Sequence, residues 1–528
     1  MITNARVWTG RSEQPWAEAV AIREDRIVFV GANRDLEPFI DSGTRLVDGR
    51  GAMVTPGFND SHIHFLEGGS HISSVQLRDV VSRADFVKRI ADFAATVPAG
   101  TWITGGDWDH ERWGGELPER SWIDESTPNH PVWVNRLDGH MSLANSAALK
   151  LAGVTAGTPD IEGGEIVRGA DGAPTGVLKD NALGLVDRVV PPASADAQDR
   201  ALDAAMSYVV QQGVTSVQHM GSWDDLIVFR RAHAAGRLRV RLFAAVPLHS
   251  WERLRDEVSA RGRGDRWLRI GGLKGFVDGS LGSHTAAFVE PFSDAPSDRG
   301  LLVTSRENLY TWISGADRSE LQVMTHAIGD RAIGMLLDIY ERVAKENGSR
   351  DRRFRVEHAQ HIAPADIVRF KALDVVASMQ PYHAIDDGRW AERTIGPERI
   401  KTTYAFRSLL DAGARVAFGS DWYVAPPIPL EGIYAAVTRR TIDGKNDTGW
   451  VPAQKISVEE ALKAYTTEAA YATGEQGEKG LLAAGMLADI VVLDRDLTAI
   501  PPEEIRDVKV RMTIVGGKVM YDRTSGRQ

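Results

Sequence analysis

The sequence predicts an α/β chain centred on a (β/α)8 (TIM) barrel, with a small β-sandwich formed by both chain ends and a large inserted α+β domain after strand 1. Three observations predict it. Apolar strand-like runs alternate with helical patterns through the middle of the 528 residues, the mark of parallel βα units. Short β-branched runs crowd both termini. Between the first two strand candidates lie about 130 residues rich in Trp, Gly and Asp, far too many for a βα loop.

Residues 2–8 and 18–31 read as short strands separated by turn residues. The run 52–58 is the first barrel-strand candidate. Residues 67–199 read as the insert, with 191–200 as the linker back to the barrel. Further strand candidates lie at 214–219, 240–247, 270–276, 321–326, 353–358, 375–380 and 415–420. Eight such strands suggest a closed barrel; a doubly wound open sheet is the alternative. In 330–347, Ile333, Leu336, Leu337, Tyr340 and Val343 recur at helical spacing. Ser457-x-x-Glu460 is a capping box opening a helix through about Tyr471. Residues 488–494 are a β-branched run, and 508–521 form two strands around Gly516-Gly517, a hairpin signal. The expected domains are 1–54 with 480–528, 55–66 with 200–479, and 67–199.

Composition narrows the function classes. The chain is 43% hydrophobic and 25% charged, as a soluble globular protein is. Its 62 basic and 72 acidic side chains leave a net charge of −10, which argues against nucleic acid or an anionic membrane surface as partner. No run of 18 apolar residues exists to span a bilayer. There is no cysteine, so disulfides, thiolate metal sites and cysteine nucleophiles are excluded. Any metal falls to His, Asp, Glu, water or a modified side chain. The N-terminus has no basic-then-apolar signal pattern. The expectation is a cytoplasmic protein, a homodimer by default, with a removed leader left open.

In a parallel barrel, chemistry sits at the C-terminal strand ends. Those ends carry His62 and His64, His219, Lys274, His326, His358, Gln380 and Asp421. His-x-His on an extended strand places both imidazoles on one face, where they can share a metal. Alone it is a weak signal. His326 by itself reads as a hydrogen-bonded core residue, and Asp421 after Gly419-Ser420 as a turn residue. Each has a plain explanation; the ordered combination does not.

PGFNDSHIHF (56–65) closely resembles the strand-1 motif of the amidohydrolase superfamily. GGDWDHERWGG (105–115), RLDGHMSLANSAAL (136–149), LKGFVDGSLGSHTAAF (273–288), RVEHAQHI (355–362), SMQPYHA (378–384) and GSDW (419–422) resemble its large-insert branch, amidohydrolase family 3, the YtcJ-like group. The resemblance covers essentially the whole chain. It implies that His62 and His64 bind one metal ion, which Asp421 also reaches, and that His326 and His358 bind a second. It implies that Lys274 bridges both as a CO2-derived carbamate. An ammonium has no lone pair, so Lys274 ligates only if modified; its plainer reading is an ion-paired core lysine. Two divalent ions are expected, Zn2+ by preference, with Mn2+, Fe2+ or Co2+ as alternatives; a one-ion variant stays open. Two such ions against carbamate, Asp421 and hydroxide leave one positive charge, suited to a developing oxyanion.

The implied reaction is hydrolysis of an amide-type C–N bond in an N-acyl or N-formyl small molecule. Metal-bound hydroxide attacks, and Asp421 shuttles the proton. Alternatives are a cyclic-amide hydrolase, a deaminase, a lactone or ester hydrolase, or a silent binding protein. Expected substrate contacts are Asp278, His284, Gln380, His383, Trp108, Asp138 and His140, with His219 behind the metal site. Asp278 reads equally as a turn cap. Trp102, Trp108 and Trp113 suit an apolar substrate wall or the insert's own core. Glu357, beside His358 on its strand, is expected to point away from the site into a structural ion pair. His284 stands where the branch is expected to carry Arg, which disfavours a strongly anionic substrate.

Overall fold

Eight parallel strands form the centre of the chain in a computed structural model that describes residues 1–523. They are β1 (Phe58–Ile63), β2 (Val214–Met220), β3 (Arg241–Pro247), β4 (Leu268–Phe276), β5 (Gln322–Ala327), β6 (Arg355–His358), β7 (Val376–Met379) and β8 (Arg415–Phe418). Each pairs with its sequence neighbour, in the order β8 to β1. Closure comes just past the strand ends: Asp421 N donates to His62 O at 2.7 Å, and His64 N to Trp422 O at 2.7 Å. The sheet is therefore a TIM barrel and not an open doubly wound sheet. Gly419 permits this approach, since a Cβ there would lie 2.5 Å from His62 N.

Strands buried on both faces read as continuous apolar runs, which is why β2 to β8 coincide with the expected runs. The first candidate does not. Met53–Pro56 pairs with Ile490–Leu493 and with Arg6–Trp8 in a six-stranded sheet of the chain ends. The barrel strand begins only at Phe58. Apolar content marks both stretches alike, and only tertiary pairing separates them.

That six-stranded sheet also carries Val510–Val515 and Lys518–Asp522, joined through Gly516 (φ 54°) and Gly517 (φ 73°), the two positive values of a tight hairpin turn. A four-stranded sheet of N-terminal segments faces it, and Ile2, Val7, Val20, Val54, Ile490 and Ile514 pack together between them. Between β1 and β2 lies a five-stranded sheet with Arg83–Ala94 and Ser146–Ala152 as helices. It has its own core of Leu77, Phe86, Ile90, Trp108, Val134 and Leu143. Ser194 caps the returning helix Ala195–Gln211, so the linker ends six residues before Arg200.

The helix Asp330–Asn347 buries all five of its periodic residues. The capping box at Ser457 and Glu460 forms, but the helix it opens stops at Tyr465 and resumes at Thr467, because Thr466 is non-helical. Among the described residues no helix is long and apolar enough to cross a membrane.

Candidate active site

The site is built from the barrel interior upward. Arg355, wholly buried, donates from Nε to Glu357 Oε1 at 2.6 Å and from NH2 to Ser61 O at 2.6 Å and Ser378 Oγ at 2.9 Å. Glu357 Oε2 then lies 2.6 Å from His62 Nδ1. Glu357 thus points into the barrel beneath the site, contrary to expectation. Strict alternation would send it out if His358 points in. It fails because His358 (φ 71°) and Ala359 (φ 45°) both adopt left-handed backbone, which re-aims the end of β6.

Above this base three buried imidazoles each commit one nitrogen to an acceptor. His62 Nδ1 faces Glu357, His326 Nε2 lies 3.0 Å from Gly279 O, and His358 Nδ1 lies 2.9 Å from Gln380 Oε1. Donation there leaves His62 Nε2, His326 Nδ1 and His358 Nε2 as the lone-pair nitrogens. The rings cluster: His62–His358 centroids are 4.7 Å apart and His326–His358 4.5 Å. Burial, followed by neighbouring positive groups, drives all three pKa values well below the ordinary histidine value. They are neutral donors at neutral pH.

Asp421 reaches this cluster from beyond β8, on left-handed backbone (φ 60°). Its Oδ1 is 3.3 Å from both His62 Nε2 and His64 Nε2, and its Oδ2 is 3.9 Å from His358 Nδ1 and from His383 Nε2. Burial would raise its pKa, but His62, His64 and His383 outweigh that and hold it below the ordinary carboxylate range. Asp421 Oδ1 and His383 Nε2 are buried without a hydrogen-bond partner. Two groups bring ligand atoms within 4.8 Å of one another: His62, His64 and Asp421, and His358, His383 and Asp421. Unpartnered buried oxygen and nitrogen, with no sulfur, fit a divalent cation. Lys274 Nζ sits 3.1 Å from His62 Nε2, and burial lowers its pKa to about 8 against the pull of Glu357 and Asp421. That brings its amine closer to the neutral form, the one that can add CO2.

The expected substrate contacts divide. His383, Asp138 and His140 line a cavity of about 140 Å³ over the donors, together with Tyr423, which sequence reasoning missed. Arg136 holds Asp138 at 2.6 Å, and Ser280 and Ser283 also donate to it. His140 Nδ1 lies 2.6 Å from Asp180, which raises its pKa against the opposing effect of burial. Gln380 touches His358 and acts through it. The insert is tied over the site by Arg389–Asp109 at 3.1 Å and Arg393–Glu111 at 2.6 Å.

Three expected contacts turn elsewhere. Asp278 accepts from Ala287 N at 2.8 Å, Gly329 N at 2.9 Å and Ile328 N at 3.0 Å, so it is a buried loop anchor, 3.7 Å behind His326 Nε2 rather than in the cavity wall. Trp108 donates to Val134 O at 2.9 Å inside the insert core, so it is no substrate wall. His284 pairs with Asp294 at 3.1 Å, outside the cavity. His219 accepts from Phe65 N at 3.0 Å and lies 3.2 Å from Asp225; its carboxylate partner is not a site residue.

A closed barrel with neutral imidazoles and a carboxylate at its strand ends defines the class of metal-dependent hydrolases with the amidohydrolase fold. The sequence match is specific. The model of the amidohydrolase family matches residues 45–521, and the chain belongs to that family. It is 44% identical to Protein LONG AFTER FAR-RED 3 of Arabidopsis thaliana, over 99% of this chain and 91% of that one. It is 30% identical to YtcJ of Bacillus subtilis, over 98% of both chains. It is also 30% identical to the N-substituted formamide deformylase of Arthrobacter pascens, over 99% of this chain and 98% of that one. The crystal structure of an uncharacterized metal-dependent hydrolase from Pyrococcus horikoshii superposes with a TM-score of 0.77 at 28% identity, covering 95% of this chain and 98% of that one.

Proposed function

We propose that this chain hydrolyses an amide-type C–N bond in a small molecule, using a two-ion centre of zinc or a similar divalent metal. The observation that carries the reading is the convergence of His62 Nε2 and His64 Nε2, each at 3.3 Å, on the otherwise unpartnered buried Asp421 Oδ1. His62, His64 and Asp421 would hold one ion and His326 and His358 the other, and Lys274, once carboxylated, would add an anionic oxygen ligand. Such ions supply Lewis acidity toward a carbonyl and toward water.

The remaining work falls to the chain. Glu357 and Arg355 fix the tautomer of His62, so that Nε2 keeps its lone pair. Asp421, ionised, takes the proton of the attacking water and returns it to the leaving nitrogen, base first and acid second. His383, stacked on His358 at 8° and lining the cavity, is placed to hold the carbonyl oxygen. His140, oriented by Asp180 at 2.6 Å and lining the cavity, is placed to donate to the developing oxyanion. The deformylase relative supports an N-formyl or short N-acyl substrate.

Elemental analysis of the purified protein tests the centre, with two divalent ions per chain expected. A panel of N-formyl, N-acyl and cyclic amides tests the reaction. A folded protein that is fully active after exhaustive chelation overturns the reading.

A further inference from the structure

A second cavity, of about 690 Å³, opens on the other side of the same donors, over the ends of β2, β3 and β4. It shares His64, Lys274 and Phe276 with the 140 Å³ chamber under the insert. The Phe276 ring lies 4.8 Å from Lys274 Nζ and 5.3 Å from the His326 ring, and stands as the partition between the two spaces. The chamber is small and polar, walled by Asp138, Asp386, Asp387 and Asp421 and by Arg136, whose guanidinium is already paired with Asp109 and Asp138. The larger cavity is walled by Leu66, Met220, Leu248, Phe276 and Trp312. Among its described lining residues Lys274 is the single lysine and there is no arginine, while Glu67 and Asp225 are acidic. Asp225 is already engaged by His219 and by Ser222 N at 2.8 Å.

We propose that the larger cavity is the subsite for a bulky, uncharged apolar substituent of the substrate, with the scissile carbonyl at the His64–Lys274 junction and the small end of the molecule in the polar chamber. The assignment rests on the amide-hydrolase reading and adds the substrate's shape and charge to it. The volumes dictate the division. A space of 690 Å³ is that of an ordinary small-molecule pocket, whereas 140 Å³ admits a formyl or short acyl or alkyl end. Charge dictates the rest, because a substrate carboxylate would meet carboxylates on both sides and no arginine in the apolar half.

The test uses the full-length, metal-loaded enzyme with N-methylformamide, N-butylformamide, N-(2-phenylethyl)formamide and N-methylpentanamide, and with N-formyl-6-aminohexanoate as the anionic member. Each methylene buried in the cavity should raise kcat/KM about fourfold, so at least one bulky amide should exceed N-methylformamide by roughly tenfold or more, and the anionic member should fall below N-butylformamide by a similar factor. Leu248→Trp, which narrows the cavity, should erase the gain from bulk, lowering kcat/KM for the bulky amides more than for N-methylformamide. Trp312→Ala, at the far wall, should weaken the preference by enlarging the space. A preference indifferent to bulk, or one that Leu248→Trp leaves intact, overturns the assignment. Calorimetric binding of N-(2-phenylethyl)formamide to the wild type and to Leu248→Trp separates the two levels. Binding that Leu248→Trp abolishes, with no amide hydrolysed, overturns the reaction and keeps the subsite. Hydrolysis with binding unaffected by Leu248→Trp overturns the subsite and keeps the reaction.

Discussion

Glu357→Gln exchanges one oxygen for an amide nitrogen at the base of the site. In the wild type Oε1 accepts from Arg355 Nε at 2.6 Å, while Oε2 accepts from Arg355 NH2 at 3.0 Å and faces His62 Nδ1 at 2.6 Å. Glutamine offers only one carbonyl oxygen. If that oxygen stays on Arg355, its NH2 faces His62 Nδ1 and forces the tautomer whose Nε2 carries the proton and cannot ligate. If the oxygen turns to His62, two donors meet at Arg355. Arg355 keeps Ser61 O and Ser378 Oγ, but its charge loses its buried counter-ion. Removing one partner of a buried pair costs about 3–5 kcal/mol, and losing the group that orients a ligand weakens metal binding about 10- to 100-fold. Urea denaturation of metal-free protein reads the first, and chelator competition the second. A double-mutant cycle with Arg355→Met isolates the pair, and there the stability loss should shrink while the metal defect persists. Wild-type metal affinity in Glu357→Gln would refute the tautomer argument, whatever happens to stability.

Asp421→Asn should lower turnover about 10²- to 10⁴-fold with unchanged circular dichroism; retained turnover removes the proton shuttle. His326→Ala should reduce metal content, whereas His383→Ala should keep two ions and lose turnover. Elemental analysis of both variants decides, and the reverse result would move His383 into the ligand set in place of His326. Burial pushes Asp387 up to about 7, despite its hydrogen bond from Tyr404 at 2.5 Å. This exceeds the roughly 3.9 of an unfolded aspartate, so the native state binds more protons between those values and stability falls as pH rises through that window. Asp387→Asn should flatten the fall in urea titrations from pH 4 to 7, and an unchanged slope counts against it. Trp108→Ala should cost about 3–5 kcal/mol of stability without altering substrate preference; a changed preference at wild-type stability would return it to the substrate wall.

The sequence by itself determined which polar side chains gather at the barrel mouth. His62, His64, Lys274, His326, His358 and Asp421 all stand at or just past β-strand ends, because the ends of short apolar runs are visible in one dimension and a parallel barrel gathers them on one face. The helix Asp330–Asn347 and the hairpin at Gly516-Gly517 were legible for the same reason, since each is coded by local spacing or turn chemistry. Tertiary structure decided what those residues face. Met53–Pro56 and Phe58–Ile63 are both wholly buried, so their burial cannot say which sheet each joins. Glu357 shares the inward face of Arg355, and the two left-handed residues after it re-aim His358; Trp108 and Asp278 spend their polar atoms on backbone partners. The division of the barrel mouth by Phe276 likewise needs loops from across the barrel to be in place. Periodicity records that a side chain is covered; which group covers it is a long-range fact, fixed when the barrel closes and the insert settles over it.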